Sequence, residues 1–110
     1  MAHRVIFSAR AEAQLVKLHR DIAERATPAI GERYTAAIVK YCLAFSTFPH
    51  RGTRRDDIWP GLRTVGYRRS ATIAFEVLDD TVNIHGVYYG GQDYEAALQE
   101  GDLTDDDDES

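Results

Sequence analysis

Residues 71–89 read ATIAFEVLDDTVNIHGVYY, and the alternation in this stretch decides the fold. Ala71, Ile73, Phe75 and Val77 fall on one parity, and Thr72, Ala74 and Glu76 on the other. A period of two with one apolar face predicts a strand covered on one side only. Asp79-Asp80 divides the stretch as a two-residue turn, less favoured than Asp-Gly. Beyond it Val82 and Ile84 continue the apolar face, while Asn83 and His85 continue the polar one. Gly86 breaks the alternation, which predicts a bulge, and Gly90-Gly91 ends the strand. The spacing therefore predicts strands over 71–78 and 81–89. The preceding run Leu62–Tyr67 predicts a third strand.

An apolar sheet face needs a second layer to cover it. The residues upstream supply one. Val5-Ile6-Phe7 predicts a short first strand, and Ser8 follows as an N-cap whose hydroxyl accepts a first-turn N–H. Ala11, Leu15, Leu18 and Ile22 then recur at helical spacing. Thr27-Pro28 closes this helix and opens another, with Thr27 as N-cap and Pro28 at the first helical position. The second stripe is Ile30, Tyr34, Ala37, Ile38, Tyr41, Phe45 and Phe48, and Pro49 ends it. So short a link between helices predicts an αα-hairpin. Residues 50–61 predict a loop from their Gly, Pro and Asp content. DYEAALQ, residues 93–99, predicts a final helical turn or two. The order is β-α-α-β-β-β: an α+β fold of two layers, a helical hairpin on one face of an antiparallel sheet with the other face open.

Charge is distributed unevenly. Residues 102–110 hold six acids and no base, whereas the remainder holds twelve acids against all thirteen Lys and Arg. The body is thus near +1 within an overall −5. Residues 51–69 carry six arginines against Asp56 and Asp57. An unbroken acidic run with almost no apolar residue predicts disorder. No 18-residue apolar run is present to span a membrane, and Val5–Phe7 is too short an apolar core for a signal peptide. The single cysteine, Cys42, forms no internal disulfide and suits a reducing cytoplasm; its apolar helical setting predicts a buried small hydrophobe. His3, His19 and His50 are scattered without metal-ligand spacing, and the Asp105–Asp108 run lacks the glycine of an EF-hand loop. No metal and no cofactor is expected.

The ordered motifs FSARAEAQLVKL (7–18), TFPHRG (47–52), GLR (61–63) and VYYGGQDYE (87–95) resemble the RelE/ParE superfamily of toxins from bacterial type II toxin–antitoxin systems. Each motif is short, and their order and spacing carry the likeness, which covers residues 4 to 98. The resemblance implies a toxin domain over residues 1–100, with 101–110 as an acidic tail that has no counterpart in the family pattern. It also implies a cytoplasmic, plasmid-stabilisation type of toxin, bound in a hetero-oligomer by a cognate ParD-like antitoxin. In the ParE branch the target is DNA gyrase and the protein is not known as a nuclease. In the RelE branch the toxin is a metal-independent, ribosome-dependent mRNA endonuclease.

The RelE reading needs a group to activate a 2′-OH, a proton for the leaving oxygen and a cation for the phosphate charge. Arg63, Glu76, His85 and Tyr88 or Tyr89 are the candidates, and strand parity allows Arg63 to share the polar face with Glu76 and His85. Polar residues on a solvated sheet face are the alternative explanation. The closing segment GGQDYEAALQE (90–100) lacks the basic cluster of RelE-type enzymes, which favours the ParE branch. Arg54, Arg55, Arg63 and Arg68, with Trp59, are candidate antitoxin-docking residues, since arginine is enriched at protein interfaces. Arg54 and Arg55 also have Asp56 and Asp57 beside them as local partners. Arg69 adjoins Arg68, and two adjacent strand residues point to opposite faces. Nothing in the pattern predicts direct, specific DNA binding.

Overall fold

The computed structural model describes residues 2–90. The first strand, β1 (Arg4–Phe7), leads into helix α1 (Ala9–Arg25). Ser8 caps it, its Oγ accepting the Ala11 N–H at 3.0 Å and donating to the His85 carbonyl at 3.0 Å. One hydroxyl thus fixes the helix start to the sheet. Helix α2 (Pro28–Leu43) begins as the sequence requires, with Thr27 Oγ1 accepting the Ile30 N–H at 3.1 Å and Pro28 in the first turn. It ends earlier than its apolar stripe suggests. A single 3-10 turn, Ala44–Ser46, follows Leu43 and drives Phe45 into the core, while Phe48 is left 68% exposed.

The remaining strands are β2 (Thr53–Arg54), β3 (Leu62–Tyr67), β4 (Ala71–Leu78) and β5 (Thr81–Tyr89). β2 is a two-residue strand inside the stretch expected to be loop. The sheet order is β1-β5-β4-β3-β2, with β1 parallel to β5 and the other neighbours antiparallel. Both helices lie on one face. Leu18, Ile38, Cys42 and Phe45 pack there against Tyr67, Ile73, Phe75, Val82, Ile84 and Val87. Phe45 and Phe75 meet with ring centroids 4.8 Å apart, joining the helical layer to the sheet at its centre.

The two helices approach closely at Gly31. A Cβ there would stand 2.8 Å from the His19 carbonyl oxygen of α1. The glycine is therefore a packing requirement of the helical hairpin, not merely a weak spot in the first turn.

The expected bulge is present. Ala74 pairs with Gly86 and Phe75 with Ile84, so His85 is the extra residue of β5. Past the bulge, Val87 and Tyr89 face the helices and Tyr88 faces away. Tyr88 lies against Gly86, where a Cβ would come within 2.6 Å of its hydroxyl oxygen. The sheet face away from the helices is only partly open. Ile58 and Trp59 fold over Leu62, Ala74 and Tyr88 and form a second, smaller apolar cluster there. The expected final helical turn and the acidic tail lie outside the described residues.

Candidate functional site

The sheet face away from the helices brings two of the expected catalytic residues, Glu76 and His85, together. The bulge turns His85 towards β4, where its Nε2 lies 3.0 Å from Glu76 Oε1, and both side chains are about one-quarter to one-third exposed. The Trp59 ring meets the imidazole edge-on, centroids 5.5 Å apart at 87°. Tyr88 shares this face at 4% exposure, and its hydroxyl has no hydrogen-bond partner among the described residues. Such a pair can hold or relay a proton.

Arg63 is not with them. It pairs with Phe75 across β3 and β4 and with Arg54 across β2 and β3, so it lies on the helix-side parity. Its Nη1 donates to the Arg51 carbonyl at 3.2 Å. Leu62, not Arg63, stands opposite Glu76. Tyr89 is likewise on the helix side, edge-on to Tyr34 with centroids 5.7 Å apart. The expectation that Arg63 shares the polar face therefore fails on register. A three-residue connection, Arg68 to Ser70, separates the paired residues Tyr67 and Ala71. One residue fewer, pairing Tyr67 with Ser70, would have set Arg63 opposite Ala74 on the face of Glu76.

The other arginines fall into separate settings. Arg55 forms a two-pronged pair with Asp57, Nε to Oδ1 at 3.0 Å and Nη2 to Oδ2 at 2.8 Å. That hydrogen bond holds the Asp57 carboxyl below its ordinary value of 3.8. Arg54 pairs with Asp56 at 3.0 Å. Asp56 Oδ1 also accepts the Gly61 N–H at 2.9 Å, closing the loop that carries Trp59. Arg54–Asp56 sits at the surface, where an ion pair contributes little to stability, whereas the Arg55 side chain is largely buried beneath an exposed Asp57. Arg51, which the sequence did not single out, lays its guanidinium 4.8 Å from the Phe45 ring centroid and seals that end of the core.

Arg68 and Arg69 do not point to opposite sides of a strand. They form the β3–β4 turn, with φ of 51° and 60° and the Ser70 N–H donating to the Tyr67 carbonyl at 3.0 Å. Positive φ at both positions is the type I′ requirement that Asn-Gly normally meets. Both side chains are exposed, Arg68 lying over the Tyr67 ring at 5.2 Å.

Beside the helical hairpin a cleft of about 560 Å³ opens between α1 and the end of β5. Leu18, Ile22, Val87 and Tyr89 form its apolar wall, with Gln14 and Arg25 among its polar lining residues. β1 ends opposite Ile84, so the edge of β5 beyond it has no strand neighbour among the described residues. Gln14 Oε1 instead accepts the Val87 N–H at 2.7 Å. Sequence periodicity assigns Leu18 and Ile22 to the core side of α1 but carries no sign that β1 stops short and exposes this edge.

The family model described as "ParE toxin of type II toxin-antitoxin system, parDE" matches residues 5–94. The chain belongs to the ParE toxin family. Among solved structures it is similar to one titled "Chromosomal ParDE TA system from P. aeruginosa", with a TM-score of 0.71. The two are 18% identical, and the match covers 81% of this chain and 97% of the other. At that identity the likeness establishes the ParE fold. Comparison with curated protein sequences finds no match. Among the described residues of this ParE-family chain, no helix is long and apolar enough to cross a membrane. Nor do three or more His, Cys, Asp or Glu side chains gather there as a group that could hold a metal ion.

Proposed function

We propose that this ParE-family toxin acts in the cytoplasm by inhibiting DNA gyrase and is held inactive by a ParD-like antitoxin. The observation that supports gyrase over RNA is the placement of Arg63. A phosphodiester-cleaving site needs its cation beside its proton-transfer groups, and Arg63 lies on the opposite face of the sheet from Glu76 and His85. The antitoxin seat we favour is the cleft between α1 and β5. Its apolar wall suits an amphipathic helix with anchors at helical spacing, and the open edge of β5 suits an extended segment. Arg54, Arg55 and Trp59 remain proposed contacts at the other end of the sheet, where a partner would have to share or displace Asp56 and Asp57.

Purified toxin should block gyrase supercoiling of relaxed plasmid, and added antitoxin should restore it. Normal supercoiling with toxin in large excess would reject the proposal. The Glu76–His85 pair at 3.0 Å supports a second, enzymatic reading. On that reading His85→Ala abolishes growth arrest and transcripts are cut within codons. On the gyrase reading transcripts stay intact.

A further inference from the structure

Strand β1 ends the sheet on one side, and its outer edge has no strand neighbour among the described residues. The Arg4 N–H donates to the Asp80 carbonyl at 2.8 Å and the Ser8 N–H to the Ile84 carbonyl at 3.0 Å. These residues therefore direct their backbone groups towards β5. Alternate residues of a strand serve opposite edges, so Val5 and Phe7 aim their N–H and C=O groups outward. The outward row is closed on either side. The His3 N–H is taken by the Ser46 carbonyl at 2.9 Å, and Ala9 begins α1. The free edge thus consists of Val5 and Phe7, with Ile6 between them.

The side chains along this edge are apolar and incompletely covered. Ile6 lies level with Asn83 on the face away from the helices and is 44% exposed. Val5 and Phe7 pack on the helix-side core but are only partly buried. Residues 5–7 contain no Lys, Pro or bulge, the devices that usually blunt an edge. The edge is also complementary to itself. Two copies meeting antiparallel about a two-fold axis at Ile6 set Val5 of each opposite Phe7 of the other, and each facing pair exchanges two backbone hydrogen bonds. Ile6 then faces Ile6 in the close, non-hydrogen-bonded pairing, with Cα atoms about 4.5 Å apart. A register centred on Val5 needs the His3 N–H, which Ser46 occupies, and one centred on Phe7 needs Ala9, which is helical. Arg4 falls opposite Ser8, so the two Arg4 positions stand about 13 Å apart along the strands, beyond the screening length of about 8 Å at physiological ionic strength. No like charges confront each other in the pair.

We propose that β1 is a docking edge for a second copy of this chain, which pairs antiparallel with it, Ile6 against Ile6, and joins the two sheets into one. The contact completes the burial of Val5, Ile6 and Phe7. So short a ladder buries far less than the roughly 1,600 Å² of a standard interface, so the pairing is weak, with a dissociation constant of about 0.1–1 mM. It uses neither the Glu76–His85 pair nor the cleft between α1 and β5, and it stands whether gyrase or RNA is the target.

The test is amide hydrogen exchange of the full chain by NMR at about 0.02 and 1 mM, with sedimentation at the same concentrations. At the higher concentration the weight-average mass should rise towards a dimer, and exchange at Val5 and Phe7 should slow at least about twofold. Arg4 and Ser8, bonded to β5 in both states, should exchange at an unchanged rate. Ile6→Lys leaves the fold intact, because the side chain is exposed, and should abolish both changes by setting like charges face to face. An equimolar mixture of Ile6→Lys and Ile6→Glu should restore them, since only an Ile6–Ile6 register puts those two positions in contact. Exchange and mass that do not change with concentration would overturn the proposal. So would Val5 and Phe7 amides already protected in a monomer at 0.02 mM, by making the chain itself the cover, and so would association that persists in Ile6→Lys alone, by placing it on another surface. A Lys–Glu mixture that stays monomeric would overturn the two-fold register.

Discussion

Replacing Arg68-Arg69 by Asn-Gly should stabilise the protein, and the expected gain can be worked from the turn geometry. An L-residue in the left-handed region is disfavoured by about 1–2 kcal/mol. Asn tolerates that region through local hydrogen bonding, and Gly has no Cβ to clash. Against this, Gly at 69 loses about 0.4–1 kcal/mol through greater freedom of the unfolded chain. Asn at 68 gives up the guanidinium over Tyr67, an exposed contact contributing about 0.5 kcal/mol. The net expectation for the double variant is a gain of about 1 kcal/mol. Unfolding entropy of about 2.1 cal/mol/K per residue gives roughly 0.2 kcal/mol/K for a chain of this size, so Tm should rise about 5 °C. Circular dichroism melts and urea titration measure both quantities, and the urea midpoint should rise with no change in slope. Arg68→Ala with Arg69→Ala is the discriminating control. Alanine keeps the Cβ and loses the ring contact, so it should be neutral or slightly destabilising. A double alanine variant as stable as Asn-Gly, or an Asn-Gly variant with an unchanged midpoint, would refute the strain argument.

Three further outcomes are expected. Gly31→Ala should destabilise by about 1–2 kcal/mol in urea titration, because the overpacking at the His19 carbonyl outweighs the better helix propensity of alanine. Cys42, buried and pushed up to about 12, should resist thiol reagents at pH 8 in the folded protein and react fully in urea; rapid labelling under native conditions would contradict its burial. Asp57 should titrate below 3.8 by carbon-detected NMR and move back towards that value in Arg55→Gln. Its folded value is depressed, so its stabilising contribution is present above the ordinary carboxylate range and is lost as pH falls through the depressed value.

The residues that made the fold legible were those in which local pattern and packing agree. Ala71, Ile73, Phe75 and Val77 alternate, and they face the helices. Ser8, Thr27 and Pro28 carry helix-start chemistry, and the helices start there. Phe48 misled because helical spacing extends the α2 stripe through it, whereas the chain tightens into a 3-10 turn after Leu43. The turn itself ends at Ser46, so Phe45 is still held inside by it, whereas Phe48 lies beyond the last helical residue and is exposed. The packing role of Gly31 was invisible for a different reason. Close approach of two helices is a tertiary fact, and a single glycine in a first turn is equally consistent with simple tolerance.

The candidate site shows how a functional reading can turn on one residue of register. The alternation of β3 was readable, and so was that of β4; their relative phase was not. It depends on whether the connection through Arg68 and Arg69 holds two residues or three, and side-chain period two converts that single residue into opposite faces. With three, Leu62 faces Glu76 and is sealed by Ile58 and Trp59, while Arg63 turns to the helix side near Arg51. The bulge in β5 acts in the opposite sense. By doubling His85 and Gly86 opposite Ala74, it leaves His85 beside Glu76 and brings Tyr88 onto the same face. Two local irregularities thus determine which polar groups share a surface. Glu76 and His85 are brought together on the face away from the helices, and the Arg63 cation is held on the other face.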